Sequence, residues 1–281
     1  MTVNLRLDIS YDGTCFHGWA TQSGLRTVQQ SIEDALRLVL RLGTSYTLTV
    51  AGRTDAGVHA PGQVANIVVP RASLEQRSLH GEAGTLTRRL NKLLDEDIQI
   101  TRVSEVSPDF DARFSALRRH YEYRVSTSPI GPSPLRRLDT AWWKKPVDIA
   151  LLQAAGELFV GLHDFAAVCK HKPHATTIRS LEEFSWEDIS TPREPDTYLA
   201  RVTADAFCWS MVRSLVGACL AVGEGRKEPY FPQQLLTMRE RSPEVQVAPA
   251  CGLTLVGVTY PAESEFAERA DATRRMRSSA T

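Results

Sequence analysis

The chain has no excess charge, few cysteines and no long apolar run. Its 33 Lys and Arg balance 33 Asp and Glu, a formal net charge of zero. That argues against a protein that coats nucleic acid through bulk positive charge, so any contact with a polyanion must come from how the cations are distributed. The five cysteines, Cys15, Cys169, Cys208, Cys219 and Cys251, are odd in number and widely spaced. This argues against a disulfide framework and for small apolar fillers in a reducing compartment. No stretch reaches the roughly 18 apolar residues of a membrane-spanning helix. The opening Met1-Thr2-Val3-Asn4-Leu5-Arg6 lacks the apolar centre of a secretory signal, so a cytoplasmic location is expected.

The most informative stretch is Ala51-Gly52-Arg53-Thr54-Asp55-Ala56-Gly57-Val58-His59-Ala60. It follows a β-rich run, Tyr46 to Val50. A single carboxylate, Asp55, stands between two glycines and beside an arginine. Backbone without Cβ atoms turns sharply and admits a close-lying substrate. A carboxylate in such a loop at a strand end suits chemistry, although Asp and Gly are also ordinary turn residues.

The 281 residues, 42% of them hydrophobic, suit one large domain or two packed subdomains. Alternation of Leu5, Leu7 and Ile9 predicts a strand, and residues 27–42 a helix ended by Gly43. Further strands are predicted at 46–50, 64–69, 98–106, 121–125, 178–189, 198–207 and 253–260. Helices are predicted at 84–94, 148–160 and 211–222. Strands and short helices interleave in two halves of similar plan, with no visible direct repeat. The expected class is α+β, with mainly antiparallel sheet and helices on one face. The expected division is 1–110, 111–265 and a tail at 266–281. Arg113, Arg118, Arg119 and Arg124, followed by Arg136, Arg137, Lys144 and Lys145, form either a phosphate track or a solvated face.

Four more blocks accompany the decapeptide: Leu7-Asp8-Ile9-Ser10-Tyr11-Asp12-Gly13-Thr14 with Phe16-His17-Gly18-Trp19, Phe110-Asp111-Ala112-Arg113-Phe114-Ser115-Ala116 leading into Tyr121-Glu122-Tyr123, Phe207 to Gly217, and Gly252-Leu253-Thr254-Leu255. Together, over roughly residues 3 to 260, they resemble the tRNA pseudouridine synthase A family, in details that look actinobacterial. The resemblance implies two ferredoxin-like halves forming a long sheet, a homodimer, tRNA as partner and no cofactor or metal. It implies isomerisation of uridine to pseudouridine at positions 38 to 40 of the tRNA anticodon stem-loop.

By that resemblance Asp55 is the catalytic carboxylate, either nucleophile or base. Arg213 is the arginine that pairs with it, since burial alone disfavours a charged carboxylate. Tyr121 is the ring that stacks on the target uracil. Arg53 fills the place of the flipped base, and Leu253 lines the pocket beneath it. His59 and Arg113 are the remaining expected substrate contacts, His59 being either structural or RNA-facing.

The chain departs from the family in places. Trp209 stands where histidine is common, and the block from Leu90 to Asp97 lacks the usual proline. Phe165-Ala166-Ala167-Val168 matches its family stretch imperfectly. Three alternatives stay open: a relative acting on free uridine or a nucleotide for C-nucleoside biosynthesis, an RNA-binding module without catalysis, and a metal site in Cys169-Lys170-His171-Lys172-Pro173-His174.

Overall fold

The computed structural model describes residues 1–77, 79–170 and 176–278. The chain folds as two units, one made of Met1–Leu117 with Leu255–Met276 and the other of Arg118–Thr254.

The first unit contains β1 (Thr2–Tyr11), α1 (Val28–Leu40), β2 (Thr49–Val50), β3 (Ala60–Pro70), α2 (Gly84–Asn91) and β4 (Ile98–Val106). Its antiparallel sheet has the order β2-β3-β1-β4. A βαββαβ chain with that order is a ferredoxin-like fold. Leu5, Leu7 and Ile9 of β1 are buried on one face, as their alternation predicts. Helix α1 adds Ile32, Leu36 and Leu40 at helical spacing. It ends at Arg41 in the left-handed region (φ 54°), two residues before the predicted stop at Gly43. Strand β2 is also shorter than predicted. The amide of Leu48 donates to the buried Glu33 carboxylate at 2.9 Å, so it does not serve a strand ladder.

The other face of β1 carries an Arg6–Asp8 ion pair at 2.7 Å. The Arg6 guanidinium lies over the rings of Phe110 and Tyr260, 5.7 and 5.2 Å from their centroids. Phe110 and Phe266 are 5.1 Å apart, and the Tyr260 hydroxyl donates to the Ala112 carbonyl at 2.7 Å. These contacts place residues 111–117 and 255–276 with the N-terminal unit, where the sequence reading grouped 111–265 together.

The second unit contains β5 (Arg118–Ser126), β6 (Ala141–Trp142), α3 (Ile149–Glu157), β7 (Gly161–Asp164), β8 (Ile178–Asp188), β9 (Thr197–Ala204), α4 (Met211–Gly223) and α5 (Phe231–Thr237). Strand β10 (Leu253–Thr259) begins here and continues in the first unit, followed by α6 (Phe266–Ser278). The sheet order is β10-β5-β9-β8-β7, with β6 beside β5. Leaving out β6 and the edge strand β7, the order repeats that of the first unit. The fold is therefore α+β with two ferredoxin-like halves. Helix α3 starts at Asp148, whose carboxylate accepts the Ala150 amide at 2.8 Å. Helix α4 is apolar nearly all round and correspondingly buried, Arg213 excepted. Strands β6 and β7 and helix α5 have no counterpart among the predicted elements.

One expectation about the cysteines is overturned. Cys169 and Cys208 form a disulfide, their Cα atoms 5.7 Å apart, while Cys15, Cys219 and Cys251 are free. The two backbones run side by side, the Lys170 amide donating to the Trp209 carbonyl at 3.0 Å. Residues 39 apart in sequence are thereby within bonding reach. Among the described residues no helix is long and apolar enough to cross a membrane.

Candidate active site

The decapeptide forms a loop between β2 and β3 of the first unit. The Ala51 amide donates to Val64 at 2.9 Å, and the Trp19 amide donates to the Thr54 carbonyl at 3.1 Å. The Val58 amide closes a turn onto the Asp55 carbonyl at 3.2 Å, with Gly57 at φ 79° in its third place. A type II turn requires positive φ there, which is why Gly follows Asp55-Ala56. Asp55 is half-buried and Arg53 exposed.

Beneath the loop lies a buried polar cluster. The hydroxyls of Tyr11 and Thr54 are 2.8 Å apart. The Gln63 amide group donates to the Tyr11 hydroxyl at 3.2 Å and to the Gly52 carbonyl at 2.8 Å. Burial pushes the Tyr11 phenol up to about 12, against the pull of its Thr54 and Gln63 hydrogen bonds. Tyr11 thus stays a neutral donor or acceptor and fixes the residue next to Asp55. Gln63 was invisible as a positioning residue, because its partners are 11 and 52 residues away. The His59 ring is buried, its Nδ1 accepting the Gly13 amide at 3.1 Å. Asp12 Oδ1 is also 3.1 Å from that nitrogen. The Gly13 amide and the Asp12 carboxylate thus both converge on His59 Nδ1, which ties the ring to the Asp12-Gly13 segment. Arg113 is exposed, with its guanidinium 5.1 Å from the Phe114 ring.

The other expected site residues belong to the second unit. Tyr121, on β5, is buried and set edge-on to Phe207 with centroids 5.1 Å apart. Arg213 lies in the first turn of α4 and donates through Nε to the Ala248 carbonyl at 2.8 Å. The Ala248 amide donates back to the Arg213 carbonyl at 3.1 Å. One turn further along the same helix face, Gly217 lets the Gln246 carbonyl lie where a Cβ would be. The segment then gives its Pro249 carbonyl to the Tyr123 hydroxyl at 2.9 Å and reaches the buried Leu253 at the start of β10. Residues 246–253 thus form one strap over α4 and β5 that sets both Arg213 and Leu253. The sequence clue to it was a glycine inside an otherwise apolar helix.

Within the arginine cluster, Arg119 and Arg124 are engaged inside the fold and Arg118 makes an exposed ion pair. Arg118 pairs with Glu182, Arg119 is buried and donates to the Asp205 carbonyl at 2.6 Å, and Arg124 pairs with Glu194 at 2.8 Å. Of the two readings of the cluster, a phosphate track and a solvated face, these ion pairs and the buried Arg119 weigh against the first for these three residues. No group of three or more His, Cys, Asp or Glu side chains suited to a metal is found among the described residues. His171 and His174 of the considered metal motif lie outside them, and Cys169 is bonded to Cys208.

A family profile described as "tRNA pseudouridine synthase" matches residues 155–261. The chain is 58% identical to tRNA pseudouridine synthase A of Corynebacterium glutamicum, covering 98% of this chain and 95% of that one. It is 51% identical to the Frankia casuarinae protein of that name (98% and 96% covered) and 47% to that of Mycobacterium leprae (99% and 96%). A duplicated ferredoxin-like fold, a carboxylate held in a hydrogen-bonded loop and full-length identity at this level agree: the chain is an RNA pseudouridine synthase, an isomerase, and belongs to the tRNA pseudouridine synthase A family.

Proposed function

We propose that the protein converts uridine to pseudouridine in tRNA, at positions 38 to 40 of the anticodon stem-loop, with Asp55 as the catalytic carboxylate. The observation that carries this reading is the Asp55 loop. Its backbone is tied down on both sides of the carboxylate, which is half-buried at a strand end. Such preorganisation is what a group needs to act at a sugar carbon or proton.

In the reaction the N1–C1′ bond breaks and a C5–C1′ bond forms. The C5 proton leaves and N1 gains one, so atoms and electrons balance within the base. No external reductant or group donor enters. Asp55 acts at the sugar and Tyr121 stacks on the uracil, while Arg213 supplies the compensating charge. Arg53 takes the vacated stacking position and Leu253 walls the base pocket. His59 supports the loop through Gly13, and Arg113 meets the RNA backbone. The protein works in the cytoplasm as a homodimer, a part of the proposal supported by the family resemblance alone.

The test is tritium release from C5-labelled uridine in unmodified tRNA. Release by the wild type and none by Asp55→Ala, with RNA binding retained, is the expected result. Release by Asp55→Ala at the wild-type rate would refute the assignment. Release from free uridine or UMP but not from tRNA would move the substrate to the nucleoside level.

A further inference from the structure

Trp209 is 46% exposed, an unusual place for the largest apolar side chain. It is not loose. The Lys170 amide to Trp209 carbonyl bond at 3.0 Å joins its backbone to a second segment, beside the Cys169–Cys208 pair. The Lys170 ammonium sits 4.0 Å from the indole centroid, a close cation–π contact. In sequence Trp209 also lies between Phe207 and Arg213. Phe207 packs against Tyr121, and Arg213 follows one turn into α4. The sharp turn that separates Trp209 from the helix is made by Ser210 at φ 64°. Here an exposed aromatic lies against a cation, four residues before Arg213.

We propose that Trp209 and Lys170 form a platform for an unpaired nucleotide of the RNA substrate. The base stacks on the indole and its phosphate meets the Lys170 ammonium. Stacking platforms with a neighbouring cation are how proteins hold unpaired RNA, and every base offers a π-face to them. The platform positions RNA and takes no part in bond making. It also supplies local charge that the neutral chain lacks in bulk. This inference rests on the proposed RNA substrate.

The experiment measures binding and turnover of an unmodified anticodon stem-loop RNA by the full-length protein. The variants are Trp209→Ala, Trp209→Leu, Trp209→Phe and Lys170→Ala. Loss of one stacked base corresponds to about a 5- to 150-fold rise in Kd. Trp209→Ala and Trp209→Leu are expected to show that rise with kcat at saturating RNA within about twofold of wild type. Trp209→Phe, which keeps a π-face, restores most of the affinity. Lys170→Ala reduces the slope of log Kd against log salt by about one. Leu keeps the apolar bulk, so a loss shared by Ala and Leu but not Phe is not a packing effect. A Trp209→Leu protein that binds RNA as wild type, while wild type modifies it, overturns the platform alone. Wild-type protein that neither binds nor modifies RNA overturns the proposed function, and the platform with it.

Discussion

Gly217→Ala should destabilise the second unit by about 2–4 kcal/mol, although helix propensity alone says the opposite. In the interior of a helix such as α4, Ala is better than Gly by roughly 1 kcal/mol. At Gly217, however, the new methyl would occupy the place of the Gln246 carbonyl oxygen. A backbone carbonyl cannot rotate away as a side chain can. Overpacking costs typically about 1–3 kcal/mol, and this site belongs at the upper end. Moving the strap also strains the Arg213 Nε to Ala248 carbonyl bond, and a hydrogen bond to a charged group contributes roughly 1.5–3 kcal/mol. The balance is therefore positive even if that bond half survives. Urea unfolding at fixed m value reads it as a midpoint lowered by about 1 M or more. Gly84→Ala is the internal control. It stands at the start of α2, where an added Cβ meets open space, so it should be neutral or slightly stabilising. A Gly217→Ala midpoint equal to or above wild type would refute the reasoning about the strap. Reduced turnover in a folded Gly217→Ala protein would further tie the strap to the placing of Arg213.

Tyr11→Phe removes the Thr54 partner beside Asp55. It should cost about 1 kcal/mol in urea unfolding at neutral pH and lower kcat more than it raises KM. The same residue gives a pH dependence. A phenol raised from 10.0 to about 12 on folding contributes stability that is complete below pH 10, and this is lost as pH climbs through the folded value. Wild type should therefore lose about 2 kcal/mol more than Tyr11→Phe between about pH 9 and pH 12, and parallel curves would exclude the effect. Reducing the Cys169–Cys208 bond reopens a loop of 39 residues, which lowers stability by up to about 4 kcal/mol in the chain-entropy account. Thermal melting with and without a thiol reductant, with Cys208→Ser as the reference, checks this. A melting point unchanged by reductant would refute it.

Much of the secondary structure was legible from local pattern. Ile98 to Val106 and residues 211–222 match β4 and α4 within a residue, because burial on one face leaves a period in the residues and burial all round leaves a nearly unbroken apolar run. The ferredoxin-like duplication was legible only as a resemblance. No residue-level repeat marks it, since two halves keep the same topology with different core residues, provided apolar positions and turns fall in register. The Asp55 loop was legible because its turn needs a residue at positive φ, and Gly57 meets that demand locally.

What only the tertiary structure decided depends on partners distant in the chain. Glu33 takes the Leu48 amide and shortens β2. The Asn66 side-chain oxygen accepts the Ala112 amide at 2.9 Å and, with Phe110 and Tyr260, draws residues 111–117 to the first unit, while Gln63 ties Tyr11 to the loop. Cys169 finds Cys208, and Ala248 clamps Arg213 across 35 residues. The sequence by itself determined the α+β class, the family and the Gly-flanked turn that presents Asp55. Packing determined which arginines remain available, how Arg213 is held, and that Trp209 stands exposed beside Lys170. Periodicity encodes which side of an element is buried, but not what it is buried against.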